Sequence, residues 1–361
     1  MIFLIYLILT LLFIKSQNKI IKKKSNILYI ICTVISLLTV AGCWSGFAAK
    51  LPATVVKYLW DPLQNGTIAT AIFVWVMYAG ALKPGVELRK YLLPIRGEIS
   101  IIASILTLGH NFALGRVYFF KLFTNPADFS IWQILASVCS VLMILIMLPL
   151  FITSFPEVRK KMDGRKWKKL QRWAYLFYGL IYVHVLLLFI PASRDGDTKA
   201  LLNIIVFSLV FLAYAVLRIK KAMEKRNKHS KFIPAAAIAV ALVVAIFSMP
   251  AEIFDFIDIN SSDKNNATGS DMSLYKDGTF EGKGRGYAGP VIAEVTIKDD
   301  VITDVNIVSQ VEDEPYWTRS LVIIDDIIKT QDYHVDSVAG ATKSCNGIRK
   351  AVKSALKQAK N

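Results

Sequence analysis

The chain has 361 residues, 54% of them hydrophobic and only 19% charged, with a mean hydropathy of +0.46. An ordinary soluble domain carries about 25% charged residues and fewer apolar ones, so a wholly soluble protein is excluded. The net charge of +16 divides unevenly: residues 1–250 hold 30 Lys and Arg against 9 Asp and Glu, and residues 251–361 hold 13 against 18. An acidic C-terminal part is not a phosphate-gripping nucleic-acid module. Cys32, Cys43, Cys139 and Cys345 form no C-x-x-C pair, which leaves no thiolate set for zinc or an iron–sulfur cluster.

Eight apolar segments follow one another at about 1–14, 26–47, 67–84, 98–120, 130–153, 172–191, 200–217 and 232–249. Most approach the ~20 residues that cross a bilayer. The first is short, and it lacks the basic leader and small-residue cleavage site of a signal peptide. It reads as a marginal span or an anchor lying in the interface.

Orientation follows from the Lys/Arg bias of the loops. The connections after segments 1, 3, 5 and 7 hold 24 Lys and Arg, eight of them between Arg159 and Arg172, whereas the alternate connections hold 6. The basic side is assigned to the cytoplasm, which sends everything after Pro250 to the extracytoplasmic side. Residues 255–272, rich in Ser, Asp and Asn, read as a polar linker.

From about residue 273 the pattern becomes a small α+β domain. Alternating apolar residues predict strands over 291–297 and 301–308 with a turn at Asp299-Asp300. Helices are expected over 320–329 and 348–359. Gly284-Arg285-Gly286-Tyr287-Ala288-Gly289 fits the G-x-G-x-x-G dinucleotide fingerprint, but Pro290 and a β-branched run follow it. The fingerprint needs a helix there, so this stretch reads as a glycine-rich turn between strands. Asp336-Ser337-Val338-Ala339-Gly340-Ala341-Thr342-Lys343-Ser344 combines small residues that admit a ligand with hydroxyls ahead of a helix, a setting suited to phosphate. By composition alone it reads equally as a capped loop.

Residues 273–357 resemble the FMN-binding domain of the flavin-bearing subunits of sodium-pumping NADH:quinone reductase and the Rnf complex. The likeness includes Tyr275-Lys276-Asp277-Gly278, Gly282, Gly286-Tyr287-Ala288-Gly289-Pro290, the strand pair and the 336–344 motif. It implies FMN esterified through its phosphate to Thr342 by a flavin transferase, with Asp336, Gly340, Ala341 and Ser344 around it. Ala339 stands where that family usually has Ser.

Of the four histidines, only His110 and His184 fall inside apolar segments, where an ionisable group is costly and marks function by default. A hydrogen-bonded interhelical histidine would account for either alone. Each lies 12 residues past the basic-side edge of its segment, at Glu98 and Arg172, or about 18 Å at ~1.5 Å per residue. Two imidazoles at one depth can fill both axial positions of a heme iron. Ile152-Thr153-Ser154-Phe155, the basic loop, Trp167 to Tyr175 and Val183-His184 resemble the ferric-reductase-like transmembrane domain. The nearest form is the heme-binding membrane subunit of the periplasmic methionine-sulfoxide reductase system. That family often carries a second, inner histidine site, and Gln171 stands at its position, so one heme b is expected.

The fold expected is therefore a polytopic α-helical bundle of seven or eight spans with a small extracytoplasmic α+β domain. It divides into N-terminal membrane helices at 1–59, a ferric-reductase-like heme domain at 60–217, a last membrane helix at 218–254, the linker at 255–272 and the FMN-binding domain at 273–361. The function expected is an oxidoreductase: transmembrane electron transfer from a membrane donor, with quinol favoured because no cytosolic nicotinamide domain is seen, to an extracytoplasmic acceptor. The acceptor is ferric iron, a small molecule or a partner protein. The alternatives are a heme/flavin membrane subunit feeding electrons to a separate periplasmic or extracellular reductase, and a redox sensor whose flavin does not turn over; a transporter is disfavoured because paired polar intramembrane residues are few. Expected partners are the lipid membrane, a flavin transferase and the quinone pool, with no nucleic acid. Protease added to intact spheroplasts should remove the chain beyond about residue 261 and spare the loop at 157–172; cleavage of the tail only after lysis would reverse the orientation.

Overall fold

The computed structural model describes residues 2–124, 129–194, 197–226, 232–249, 274–312, 314, 316–338 and 341–360. The expected linker lies outside the described residues. The chain forms two compact units, one of residues 1–46 and 58–258, the other of 47–57 and 259–361.

The first unit is helical, and each apolar segment of the sequence is a helix: α1 (Ile2–Ser16), α2 (Ser25–Trp44), α3 (Thr67–Ala81), α4 (Arg96–Thr124), α5 (Ile131–Ile152), α6 (Trp173–Arg194), α7 (Thr198–Glu224) and α8 (Phe232–Phe247). By length and composition α2, α4, α5, α6 and α7 suffice to cross a membrane, whereas α1, α3 and α8 are shorter apolar helices. Helix starts are set by polar caps. Ser130 and Gln133 form a reciprocal capping box at α5, and Asp197 accepts from the backbone of Lys199 and Ala200 at α7.

In this bundle α2 packs along α4, α3 along α1 and α4, and α6 along α5 and α7. Aromatic rings fill the seam: Phe3 stacks on Phe207 at 3.9 Å and Tyr178 on Phe211 at 4.3 Å between centroids. The outward side chains are just as apolar. Leu37, Leu38, Leu145 and Val243 are each more than 60% exposed, and α8 buries none of its residues. Such a surface is untenable in water and is what hydrocarbon demands.

The second unit is a three-stranded antiparallel sheet, β1 (Gly278–Arg285), β2 (Pro290–Lys298) and β3 (Val301–Ser309), in the order β1-β2-β3. It carries α9 (Tyr316–Ser320), α10 (Val322–Thr330) and α11 (Thr342–Ala359). The β2–β3 turn is the expected one. Asp299 and Asp300 take φ of 52° and 63°, the left-handed pair of a two-residue hairpin. Along β2, Val291, Ala293, Val295 and Ile297 alternate inward to meet Ile348, Val352 and Leu356 of α11.

Three elements differ from expectation. The helix expected over 320–329 is α10, Val322–Thr330, and an additional short helix, α9, precedes it. The terminal helix begins at Thr342 rather than 348, because its polar first turns carry no apolar spacing. Ahead of the glycine-rich turn, which does join two strands, stands β1. Its inward positions are Gly282 and Gly284, residues poor in strand propensity, but here the missing side chains are the reason for the pairing. A Cβ on Gly284 would stand 2.0 Å from the Gly347 carbonyl oxygen, and one on Gly282 would stand 2.0 Å from that of Ala351. The helix rests on the strand backbone to backbone. Gly284→Val should cost about 3 kcal/mol or more and raise deuterium uptake in β1 and α11 of the full chain, with Lys357→Ala on the exposed side of α11 as the neutral control; equal uptake in both variants would refute the close-contact account.

Candidate functional site

The 336–344 motif is held by two devices outside it. Glu312, 8% exposed, accepts hydrogen bonds from the backbone of Ala288 at 2.7 Å and Gly289 at 3.3 Å, and from the buried Ser344 hydroxyl. Its carboxylate lies where a side chain on Gly286 would be. One acid thus ties the glycine turn to the first turn of α11. Arg349 on α11 donates to the Val335 carbonyl at 2.9 Å and the Ser337 hydroxyl at 3.1 Å, so the residues on either side of Asp336 are fastened to the helix that Thr342 begins.

Within that frame Thr342 is the first residue of α11 and is exposed. Its hydroxyl bonds to none of the described residues. First-turn N–H groups of a helix lack intrahelical partners and favour an anion, so the position offers a free hydroxyl beside a phosphate-compatible terminus. Asp336 and Lys343 are exposed, with Lys343 Nζ 4.9 Å from the Tyr287 ring centroid. Ala341 is buried at the cap. Ser344 faces inward to Glu312, and Gly340 lies outside the described residues. Burial pushes the Cys345 thiol up, which leaves it inert as a nucleophile. An open groove of about 510 Å³ runs along Ile307–Gln310 beside Trp317 and Leu321. These features fit a flavin phosphate: an exposed hydroxyl at a helix terminus.

In the bundle, His110 Nδ1 lies 2.7 Å from the Gln64 carbonyl oxygen, and His184 Nδ1 lies 3.2 Å from that of Ala136 and 3.3 Å from the Ser140 hydroxyl. A carbonyl partner requires Nδ1 to carry the proton, which leaves the Nε2 lone pair for a ligand in each ring. The pair lies within electrostatic reach of one another. Gly66, with φ of 69°, packs under the His110 ring, where a Cβ would stand 3.1 Å from it. The donor set therefore fits an axial pair. The void lined by His110, Ile35, Ser36 and Thr39 holds only about 10 Å³, room for one water. Among the described residues no group of three or more His, Cys, Asp or Glu gathers as a metal site. Gln171 instead donates to the Thr153 hydroxyl at 3.3 Å, and Trp167 donates to the Thr153 carbonyl at 3.0 Å. Together these bonds fasten the basic loop to the end of α5.

Glu312 and Arg349 were not singled out in the sequence, where nothing local marks them. The glycine alternation at 282, 284 and 286 was the one signal of the strand-on-helix contact.

Comparison with known proteins gives the class first. Residues 286–357 match the FMN-binding domain, and residues 98–272 match the 7TM diverse intracellular signalling family. The protein is a membrane flavoprotein, an apolar helical region joined to a C-terminal FMN-binding domain. It is 33% identical over 344 residues to a Treponema pallidum (strain Nichols) protein described as uncharacterized, with 94% of each chain covered, and it belongs to the same family. No solved structure matches the chain.

Removing the acid that ties the turn to the helix should loosen the site. Glu312→Ala leaves three donors without their acceptor, at about 1–3 kcal/mol per buried group, and should raise deuterium uptake over 341–347 together with 286–289. Unchanged uptake there would show that Glu312 is not the tie.

Proposed function

We propose that the protein is a transmembrane electron carrier. In this reading His110 and His184 hold a single heme b, and Thr342 carries FMN as a phosphoester. Electrons taken from membrane quinol leave to an extracytoplasmic acceptor. The observation that carries the reading is Thr342, an exposed hydroxyl without a partner among the described residues, at the first residue of a helix inside an FMN-binding domain of a membrane protein. When bound, heme exchanges one electron at a time and flavin one or two, so the pair suits a relay between a quinol and a one-electron or two-electron acceptor.

The residues supply position and electrostatics. Gln64 and Ala136 hold the two imidazoles through Nδ1, which keeps their basic Nε2 atoms turned away from the main chain. Glu312, Ser344 and Arg349 hold the acceptor hydroxyl at the surface. The Lys/Arg bias of the loops supports release of the tail on the extracytoplasmic side, where a flavin transferase and the final acceptor (ferric iron, a small molecule or a separate reductase) would meet it. The match of 98–272 to a 7TM signalling family favours a second reading, a redox sensor whose flavin reports without turning over. Rapid reoxidation by an added acceptor separates the two.

Peptide mass spectrometry of protein produced with a flavin transferase should place FMN on the peptide bearing Thr342, and Thr342→Val should abolish the adduct without loss of membrane insertion. Covalent flavin surviving in that variant would refute the attachment site. In the purified full chain, His184→Leu should remove the bis-histidine heme spectrum and block flavin reduction by a menaquinol analogue while leaving dithionite reduction intact. Flavin reduction by quinol in that variant would exclude the heme route.

A further inference from the structure

At the end of the bundle where α3 stops and α4 begins, four basic side chains converge. Lys221 Nζ, from α7, donates to the carbonyls of Gly80 and Leu82 at 2.8 Å each. Arg96 lies across the same helix end, since a Cβ on Gly80 would stand 3.4 Å from its Nη1. Arg218 covers the Tyr175 ring at 4.9 Å and donates to its hydroxyl. Arg89 Nε is buried without a hydrogen-bond partner among the described residues.

Helix-capping explains one of these charges. The C-terminal carbonyls of α3 attract a cation, and Lys221 supplies it. They do not explain the rest. Lys221 lies within electrostatic reach of Arg89, Arg218 and Arg96, and Arg96 of Arg218 and the uncharged phenols of Tyr175 and Tyr214, with no carboxylate in either set. Two acids near that end, Glu224 and Glu98, face other lysines: Glu224 pairs with Lys83 at 2.7 Å and Glu98 with Lys22 at 3.0 Å. Neither the Arg96 guanidinium nor the Arg89 Nε meets a hydrogen-bond acceptor among the described residues. Four like charges grouped at a partly buried position repel one another and lose hydration, and a stable fold offsets this only with a counter-charge.

We propose that Arg89, Arg96, Arg218 and Lys221 form a binding site for a phosphate group. Guanidinium forks match phosphate oxygens bidentately, and the ammonium adds a point charge. The cluster sits at the basic end of the bundle, and basic pockets between membrane helices at that level receive anionic lipid headgroups. The same chemistry takes a free phosphate from solution. The site is independent of the flavin and heme readings: it lies within the helical unit and uses none of their residues.

The test is titration of delipidated full-length protein in neutral detergent, followed by native mass spectrometry, with phosphatidylglycerol and inorganic phosphate as separate probes. Wild type should retain one of them, and Arg96→Gln and Arg218→Gln should each weaken it about tenfold, the equivalent of ~1.4 kcal/mol. Lys168→Gln with Lys169→Gln, which removes two charges from the exposed basic loop, should change binding less than about twofold. Lipid retained in excess inorganic phosphate identifies the headgroup as the source; displacement by inorganic phosphate identifies the free anion. Should Arg96→Gln fail to fold, Arg96→Lys keeps the charge but loses the fork and should still weaken binding. Binding of neither probe by wild type, or binding equally reduced by the Lys168/Lys169 control, overturns the site.

Discussion

A helix can lie against a strand backbone to backbone only where neither brings a side chain to the contact. In the C-terminal domain this constraint governs the rest. Gly282 and Gly284 on β1 face the Ala351 and Gly347 carbonyls, and with no Cβ between them α11 settles closely onto the sheet. The helix axis is then set by main-chain geometry rather than by deformable side chains. Its first residue, Thr342, inherits that rigidity, and Glu312 and Arg349 secure the turns that lead into it. The exposed hydroxyl is therefore placed by a chain of contacts that starts at the far end of the sheet.

The helical region answers to a different constraint. In hydrocarbon every main-chain polar group must be satisfied internally, so helices are obligatory and unpaired carbonyls are rare. Gln64 ends a short helix, Asp61–Gln64, two residues before Gly66, and its carbonyl meets His110, while the Ala136 carbonyl lies on α5 within reach of His184. By engaging these acceptors the two histidines orient their rings without a second polar side chain for His110 and with only Ser140 added for His184. Two otherwise expensive side chains become fixed donors at little extra polar cost.

Much of this was legible in the sequence because the signals are local. Apolar runs marked all eight apolar helices, five of them long enough to cross a membrane, and consecutive aspartates marked the β2–β3 hairpin through their tolerance of left-handed backbone. What escaped was non-local. A strand whose inward residues are glycines has no apolar alternation, so the extent of β1 is not legible from its pattern, although the turn after it implies a strand there. The first turns of α11, Thr342-Lys343-Ser344-Cys345-Asn346-Gly347, hold too few apolar residues to extend the 348–359 periodicity backwards. Glu312 and Arg349 act across 32 and 14 residues of chain and match no motif. His110 and His184 were found by counting depth along helices, but their Nδ1 partners are main-chain atoms, and no residue type announces a carbonyl.

If Thr342 carries FMN as proposed, its placement at the first position of a helix bears on the order of events in making this protein. Residues there already have helical backbone angles, and Ser344, two positions on, is locked inward by Glu312. An enzyme that modified Thr342 would meet a finished surface rather than a floppy peptide. Recognition would then read shape, with Asp336 and Lys343 presented at fixed spacing around the target. Maturation would follow folding and act as a quality check, since a misassembled domain would never display its acceptor.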